Sequence, residues 1–275
     1  MSNPYGPPGL YQSLASLIGD FATSPTKWTQ NFKNRITDRL NKRRYVLDDR
    51  IGAVVKGRVV PDVDTLSIGT GTHHRLAILF LDICGFSNLD NWTEDQQKSV
   101  LALMNLFMSE MITLVRDFDG HFEKNTGDGL MAYFGEGAKT DEERVKGAVE
   151  AAMIMHYFND RMFGPILDAE NRPRIKFRVG IDVGPVTLAR VGVKSGDGDF
   201  SSLVAIGTIA NVACKLMKLI PGGGICVGEF AYKALPNNWQ SRSTKLSAST
   251  GFVYTATQQG YPAWTVDYRL TEPAY

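Results

Sequence analysis

Ala77-Ile78-Leu79-Phe80-Leu81 runs directly into Asp82-Ile83-Cys84-Gly85-Phe86-Ser87. The first part is short, apolar and unbroken. It predicts a strand buried on both faces, because a half-exposed strand would alternate. The run stops at a carboxylate, and the residues behind it predict a loop that leads into a helix.

Downstream, Thr93 and Gln96 are spaced as a capping box before a helix that ends near Phe118. Asp119-Gly120 predicts a turn. His121–Lys124 and Leu130–Phe134 flank Asn125-Thr126-Gly127-Asp128-Gly129, which reads as a hairpin. Thr140 and Glu143 cap a second helix, to about Phe158. Arg174–Val179 and Val186–Val191 predict strands on either side of a turn at Gly184-Pro185. A helix from about Thr208 to Leu219 is stopped by Pro221-Gly222-Gly223-Gly224, and residues 225–269 alternate as strands and polar loops. This order predicts an α+β or split βαβ sheet with helices on one face.

Upstream, residues 1–9 are rich in Pro and Gly and read as a loose arm. From Leu10 to about Lys56 the apolar residues fall at helical spacing: Leu10, Leu14, Leu17, Phe21, then Trp28, Phe32, Ile36 and Leu40. Lys42, Arg43 and Arg44 follow; they are either a solvated helix face or cations near a triphosphate. Residues 57–74 read as a connector. The expected division is an N-terminal arm and helical extension over 1–73 and a catalytic domain over 74–275.

Composition narrows the function. The 275 residues carry a formal net charge of +1, so no overall field favours DNA, RNA or an anionic membrane, and phosphate chemistry must use a local site. The three cysteines, Cys84, Cys214 and Cys226, form no CxxC and no even set, which fits a reducing cytoplasm. No run of about 18 consecutive apolar residues occurs, and Met1–Leu10 lacks the pattern of a signal peptide, so no spanning helix and no leader are expected.

Asp82 closes the buried strand and Asp128 sits at the hairpin tip. Two carboxylates at the ends of neighbouring strands can hold two hard divalent cations, Mn2+ or Mg2+, with positions left for substrate phosphates. The carbonyl of Ile83 is a natural further ligand. The amides of Cys84, Gly85 and Phe86 can cradle phosphate oxygens ahead of a helix. Either motif alone is common as a simple cap or turn. Four motifs stand together here: Leu81–Ser87, Glu123–Gly129, Phe177–Val186 and Ile206–Leu216.

In that order and spacing they resemble the class III nucleotidyl cyclase catalytic domain, over roughly residues 74–270. The resemblance implies a ferredoxin-like core and a head-to-tail homodimer with composite sites at the interface. It implies closure of a nucleoside triphosphate to the 3′,5′-cyclic monophosphate. Asp82 and Asp128 match the family's metal aspartates, and Asn211 its transition-state asparagine. Lys215 falls where the family carries an arginine, so the charge is kept and the planar fork is lost.

The family's two base-reading positions fall on Lys124 and Val204. Adenylyl cyclases typically show Lys with Asp or Thr there, and guanylyl cyclases Glu with Cys. Lys124 can only donate, so it opposes the N1–H and N2–H2 donors of guanine. Val204 cannot accept from an amino group, and a buried unpaired amine costs about 1–3 kcal/mol. Lys124 can donate to the C4 carbonyl of uracil, so UTP is expected ahead of CTP. The sequence also resembles the compact bacterial pyrimidine cyclases of antiphage signalling. That likeness implies a separate effector for the cyclic product, not expected to bind the cyclase directly. Tyr45, brought from the extension, is a candidate for narrowing the base pocket. A cytidylate or adenylate cyclase is the alternative within this chemistry, and a nucleotide-binding pseudocyclase the alternative outside it. The missing Gly-Gly-Asp-Glu-Phe hairpin argues against a diguanylate cyclase.

Overall fold

The apolar run at 77–81 forms the middle of β1 (Gly71–Ile83). A computed structural model describes residues 27–43, 67–85, 93–193 and 200–270. Before β1 comes α1 (Gln30–Arg43). After it come α2 (Glu94–Asp117), β2 (Gly120–Asn125), β3 (Gly129–Phe134), α3 (Asp141–Tyr157) and, past a π-helical stretch at Phe158–Phe163, α4 (Gly164–Ala169). Then follow β4 (Phe177–Val193), β5 (Phe200–Ile206), α5 (Thr208–Leu216), β6 (Gly224–Gly228), α6 (Glu229–Ala234), α7 (Asn237–Gln240), β7 (Ser243–Lys245) and β8 (Ala263–Val266). The sheet runs β2-β3-β1-β4-β6-β8-β7, with β5 paired to β4. The β2-β3-β1-β4 part, with α2 and α3 as crossovers, is the expected ferredoxin-like arrangement.

β1 is central because it is apolar on both faces. Ala77, Leu79, Leu81 and Ile83 enter a core shared with α1, α2 and α3. Leu76, Ile78 and Phe80 face the other way, under Ile209, Ala210 and Ala213 of α5. This corrects the expectation of helices on one face. An unbroken apolar strand needs cover on both sides, and α5 provides the second.

The expected break at Gly184-Pro185 is also corrected. β4 passes through it without interruption, with Gly184 opposite Leu76 and Pro185 opposite Arg75. Proline is tolerated because the other edge of β4 is free at that point. β6 pairs only as far as Ile181, and β5 begins at Thr187, so no ladder bond needs the missing N–H. The Thr140–Glu143 capping box forms as expected, with both reciprocal bonds. The box at Thr93 relies on the side chain of Gln96, which lies outside the described residues.

The helical extension enters the main core. Trp28, Phe32, Ile36 and Leu40 are buried against it. Arg39 and Arg43 both bind Glu110 of α2, at 2.7 Å each, and Glu110 is 1% exposed. By length and composition the stretch Gln97–Asp117 of α2 is apolar enough to cross a membrane. Here it places Leu106, Phe107, Met111 and Leu114 in the core of the sheet domain.

A buried carboxyl ties the C-terminal third to the sheet. Asp182, fully buried on β4, accepts from the Val183 and Ala231 amides and, at 2.6 Å, from the Tyr261 hydroxyl. Tyr261 in turn accepts from the Phe230 amide. Burial pushes the Asp182 pKa up to about 6, against the hydrogen bonds. A carboxyl that holds its proton more tightly when folded loses stability as pH rises from its unfolded pKa to its folded one. Relative to Asp182→Asn, the wild type should therefore lose stability between about pH 4 and pH 6, by roughly 3 kcal/mol at most, and change no further above that. Urea unfolding of both proteins across this range checks it; a constant difference would show that Asp182 ionises normally.

Candidate active site

Asp82 lies one residue from the end of β1, opposite Gly129 on β3 and Arg178 on β4. Asp128 belongs to the turn between β2 and β3, which is closed by the Thr126 amide on the Gly129 carbonyl at 2.9 Å. Glycine is required at 129, since a Cβ there would sit 2.1 Å from the Leu81 carbonyl oxygen. The turn is thus pressed onto the end of β1, and this brings the two carboxylates together. Burial raises the Asp128 pKa, and the charge of Asp82 raises it further. Arg178 donates through Nε and Nη2 to Asp82 Oδ2, at 3.0 and 2.5 Å. Sequence reasoning missed Arg178, because only the β1–β4 register places it across from Asp82.

This donor set fits hard cations. It consists of two carboxylates with the Ile83 carbonyl at the same strand end. Among the described residues no three His, Cys, Asp or Glu side chains gather into a metal cluster. The paired carboxylates carry an electrostatic cost that a divalent ion relieves. Burial pushes the Cys84 thiol up, which disfavours a thiolate ligand there. The Cys84 amide corrects an expectation: it donates to the Lys176 carbonyl at 2.8 Å and is not free to cradle phosphate. Gly85 turns the chain at φ +77, a conformation that glycine adopts without strain. Phe86 and Tyr45 lie outside the described residues.

The positions expected to read the base form a second group. Lys124 is exposed on β2, and Val204 is half-buried on β5 opposite Ala189. A β-bulge falls between Phe122 and Lys124, so Glu123 has no cross-strand partner. Phe122 pairs with Ala132 and packs into the core under α2 and α3. Lys124 pairs with Met131, whose side chain lies on the α5 face. Directly paired residues share a face, so the bulge turns Lys124 to the α5 face. The Glu123 side chain is 0% exposed and lies 3.1 Å from Lys124 Nζ. Neither carboxylate oxygen has a well-formed hydrogen bond. Burial raises the Glu123 pKa, and the charge of Lys124 and a hydrogen bond from the Ala205 amide, next to Val204, oppose that rise. Glu123 was not expected from sequence, where it reads as one more strand residue.

Asn211 and Lys215 form a third group, exposed and four residues apart on α5. Lys215 Nζ lies over the Phe252 ring, 4.4 Å from its centre. Among the described residues, no hydrogen bond or ion pair joins Asn211 or Lys215 to Asp82 or Asp128.

The fold and this carboxylate pair can be set beside known proteins. A family model described as adenylate and guanylate cyclase catalytic domain matches residues 69–249. The chain belongs to that family. This cyclase domain is 28% identical over 183 residues to a cytidylate cyclase of Staphylococcus aureus, covering 66% of this chain and 42% of that protein. It is 25% identical over 185 residues to a uridylate cyclase of Gulbenkiania mobilis, covering 63% of this chain and 69% of that protein. The chain therefore spans less than half the length of the first of these relatives. In fold it is similar to the adenylyl cyclase CyaB of P. aeruginosa, with a TM-score of 0.58 at 18% identity over 74% of this chain and 100% of that one.

The carboxylate pair of the cyclase domain can be tested without turnover. Asp82→Asn removes the like charge beside Asp128, so the Asp128 pKa should fall, while burial still holds it above the ordinary value. Carboxyl carbon NMR titration of both proteins reads this directly. An unchanged Asp128 titration would mean that the two side chains do not interact.

Proposed function

We propose that this chain converts a pyrimidine nucleoside triphosphate to its 3′,5′-cyclic monophosphate and pyrophosphate. The observation that carries the reading is the convergence of Asp82 and Asp128 at the open end of β1, within a cyclase-family domain. Asp82 and Asp128 would hold divalent cations, which when bound supply Lewis-acid activation of the ribose 3′-hydroxyl and neutralise charge on the phosphates. Arg178 fixes the Asp82 carboxylate through Oδ2. The 3′-hydroxyl gives its proton to solvent water and its oxygen bonds to the α-phosphorus; the bond to the bridging oxygen breaks, and pyrophosphate carries the electron pair away.

Asn211 and Lys215 are exposed on α5 and bonded to neither aspartate, which supports a composite site in a homodimer. In it, Asn211 of one copy orients the ribose bound by the other copy's aspartates, and Lys215 offsets charge on the α-phosphate. The pyrimidine reading is supported by similarity to proteins named cytidylate and uridylate cyclases. Lys124 adds to it by opposing guanine. The product would serve as a cytoplasmic second messenger for a separate effector, with antiphage defence as the setting that the resemblance implies.

Asp82→Ala or Asp128→Ala should each reduce cyclic nucleotide formation at saturating Mn2+ by at least about 1,000-fold, with the fold intact by circular dichroism. A variant that kept a large share of activity would end the two-carboxylate assignment. Assembly has its own test. Mixing Asp82→Ala with Asn211→Ala should restore about a quarter of wild-type activity, since half of freely exchanged dimers are mixed and each keeps one intact site of two. No recovery after demonstrated subunit exchange would argue for sites built within one subunit.

A further inference from the structure

Glu123 is a costly side chain to bury. Its carboxylate is fully out of water, its nearest cation is the adjacent residue, and neither oxygen is properly hydrogen-bonded. A buried ion pair of this kind seldom stabilises a fold, and a buried oxygen without a well-formed hydrogen bond is costly. A leucine or glutamine would suit the site better if packing were its purpose. The bulge places this acceptor beside Lys124, and the Ala205 amide puts it at the strand that carries Val204. Acceptor and donor thus stand side by side where a base is to be read.

We propose that Glu123 is the specificity-determining acceptor for the nucleobase, and that it selects cytosine. The proposal rests on the cyclase reading above. An ionised carboxylate only accepts and an ammonium only donates, so the order of the two along the base edge decides the base. Glu123 is the deeper group, with its side chain 0% exposed against 44% for Lys124. The 4-position of a pyrimidine is the part farthest from the ribose and enters deepest. The amino group of cytosine at that position donates to Glu123, and the neighbouring N3 accepts from Lys124. Uracil reverses both: its C4 carbonyl would face the carboxylate, and its N3–H would face the ammonium. The flexible stem of Lys124 lets its ammonium move from Glu123 Oε1 to the base as the amino group takes its place. The UTP expectation assumed that no acceptor stood near Lys124, and Glu123 is such an acceptor.

The experiment measures turnover and equilibrium binding of CTP, UTP, ATP and GTP with Mn2+, for the wild type, Glu123→Gln and Glu123→Asp. The wild type should favour CTP over UTP by about tenfold or more in kcat/KM and in binding. Glu123→Gln keeps the shape, removes a buried charge, and can turn its amide to donate to the uracil carbonyl. It should cut the CTP-to-UTP ratio by about tenfold, mainly through poorer CTP and improved UTP. Glu123→Asp, with the acceptor withdrawn by one methylene, should fall between. A purely structural Glu123 would lower all four substrates together and leave the ratios unchanged, which would overturn the proposal. A wild type that prefers UTP or GTP would overturn it as well, even if the variants failed to fold. ATP above CTP, with the preference lost in Glu123→Gln, would overturn the pyrimidine reading and uphold the acceptor. If no substrate turned over, the cyclase reading would fail; the binding ratios would still decide the role of Glu123, upholding it if CTP binds tighter than UTP only with Glu123 intact and overturning it otherwise.

Discussion

The contact between Gly129 and the end of β1 is the constraint on which the candidate active site depends. Without a side chain at 129, the hairpin turn seats directly on the Leu81 carbonyl. That seating joins Asp128 to Asp82, although they stand 46 positions apart in the chain with a whole helix between them. Everything beneath the contact holds β1 still. Its apolar residues are locked from one side by α1, α2 and α3, and from the other by α5. A carboxylate pair costs energy to assemble, so it needs a rigid platform, and a strand buried on both faces is one.

Much of this was legible in the sequence because the signals were local. The run at 77–81 has no polar alternation, and Thr140 with Glu143 satisfies helix N–H groups reciprocally, so both are fixed by nearest neighbours. The hairpin around Asp128 was legible through its glycines. The misreadings were all non-local. Pro185 looks like a break until the edge of β4 is seen to be unpaired there. The position of α5 follows from the needs of the sheet's second face, which no residue of α5 announces alone.

The site shows the same division. Asp82 and Asp128 were legible because a carboxylate that ends an apolar strand and one that tips a Gly-Asp-Gly turn are each marked by their neighbours. Arg178 was not, since its role comes from lying across β4 from Asp82. Glu123 was not, since its face is set by a bulge, and a bulge is a register property of two strands. The cysteine amide failed differently. The strand was expected to stop at Asp82, but β1–β4 pairing continues through Ile83, and the N–H at 84 bonds the Lys176 carbonyl.

Two charges of like sign at one strand end, and a buried acid without a well-formed hydrogen bond beside a lysine, are the features that the proposed ligand would meet with its cations and its polar edge. The most direct test of this account is the anomalous scattering of Mn2+ in crystals grown with a non-cyclisable CTP analogue. The account predicts manganese peaks shared by Asp82 and Asp128, with the triphosphate on them and the base amino group within hydrogen-bonding distance of Glu123. Manganese and triphosphate bound away from these two aspartates would contradict it.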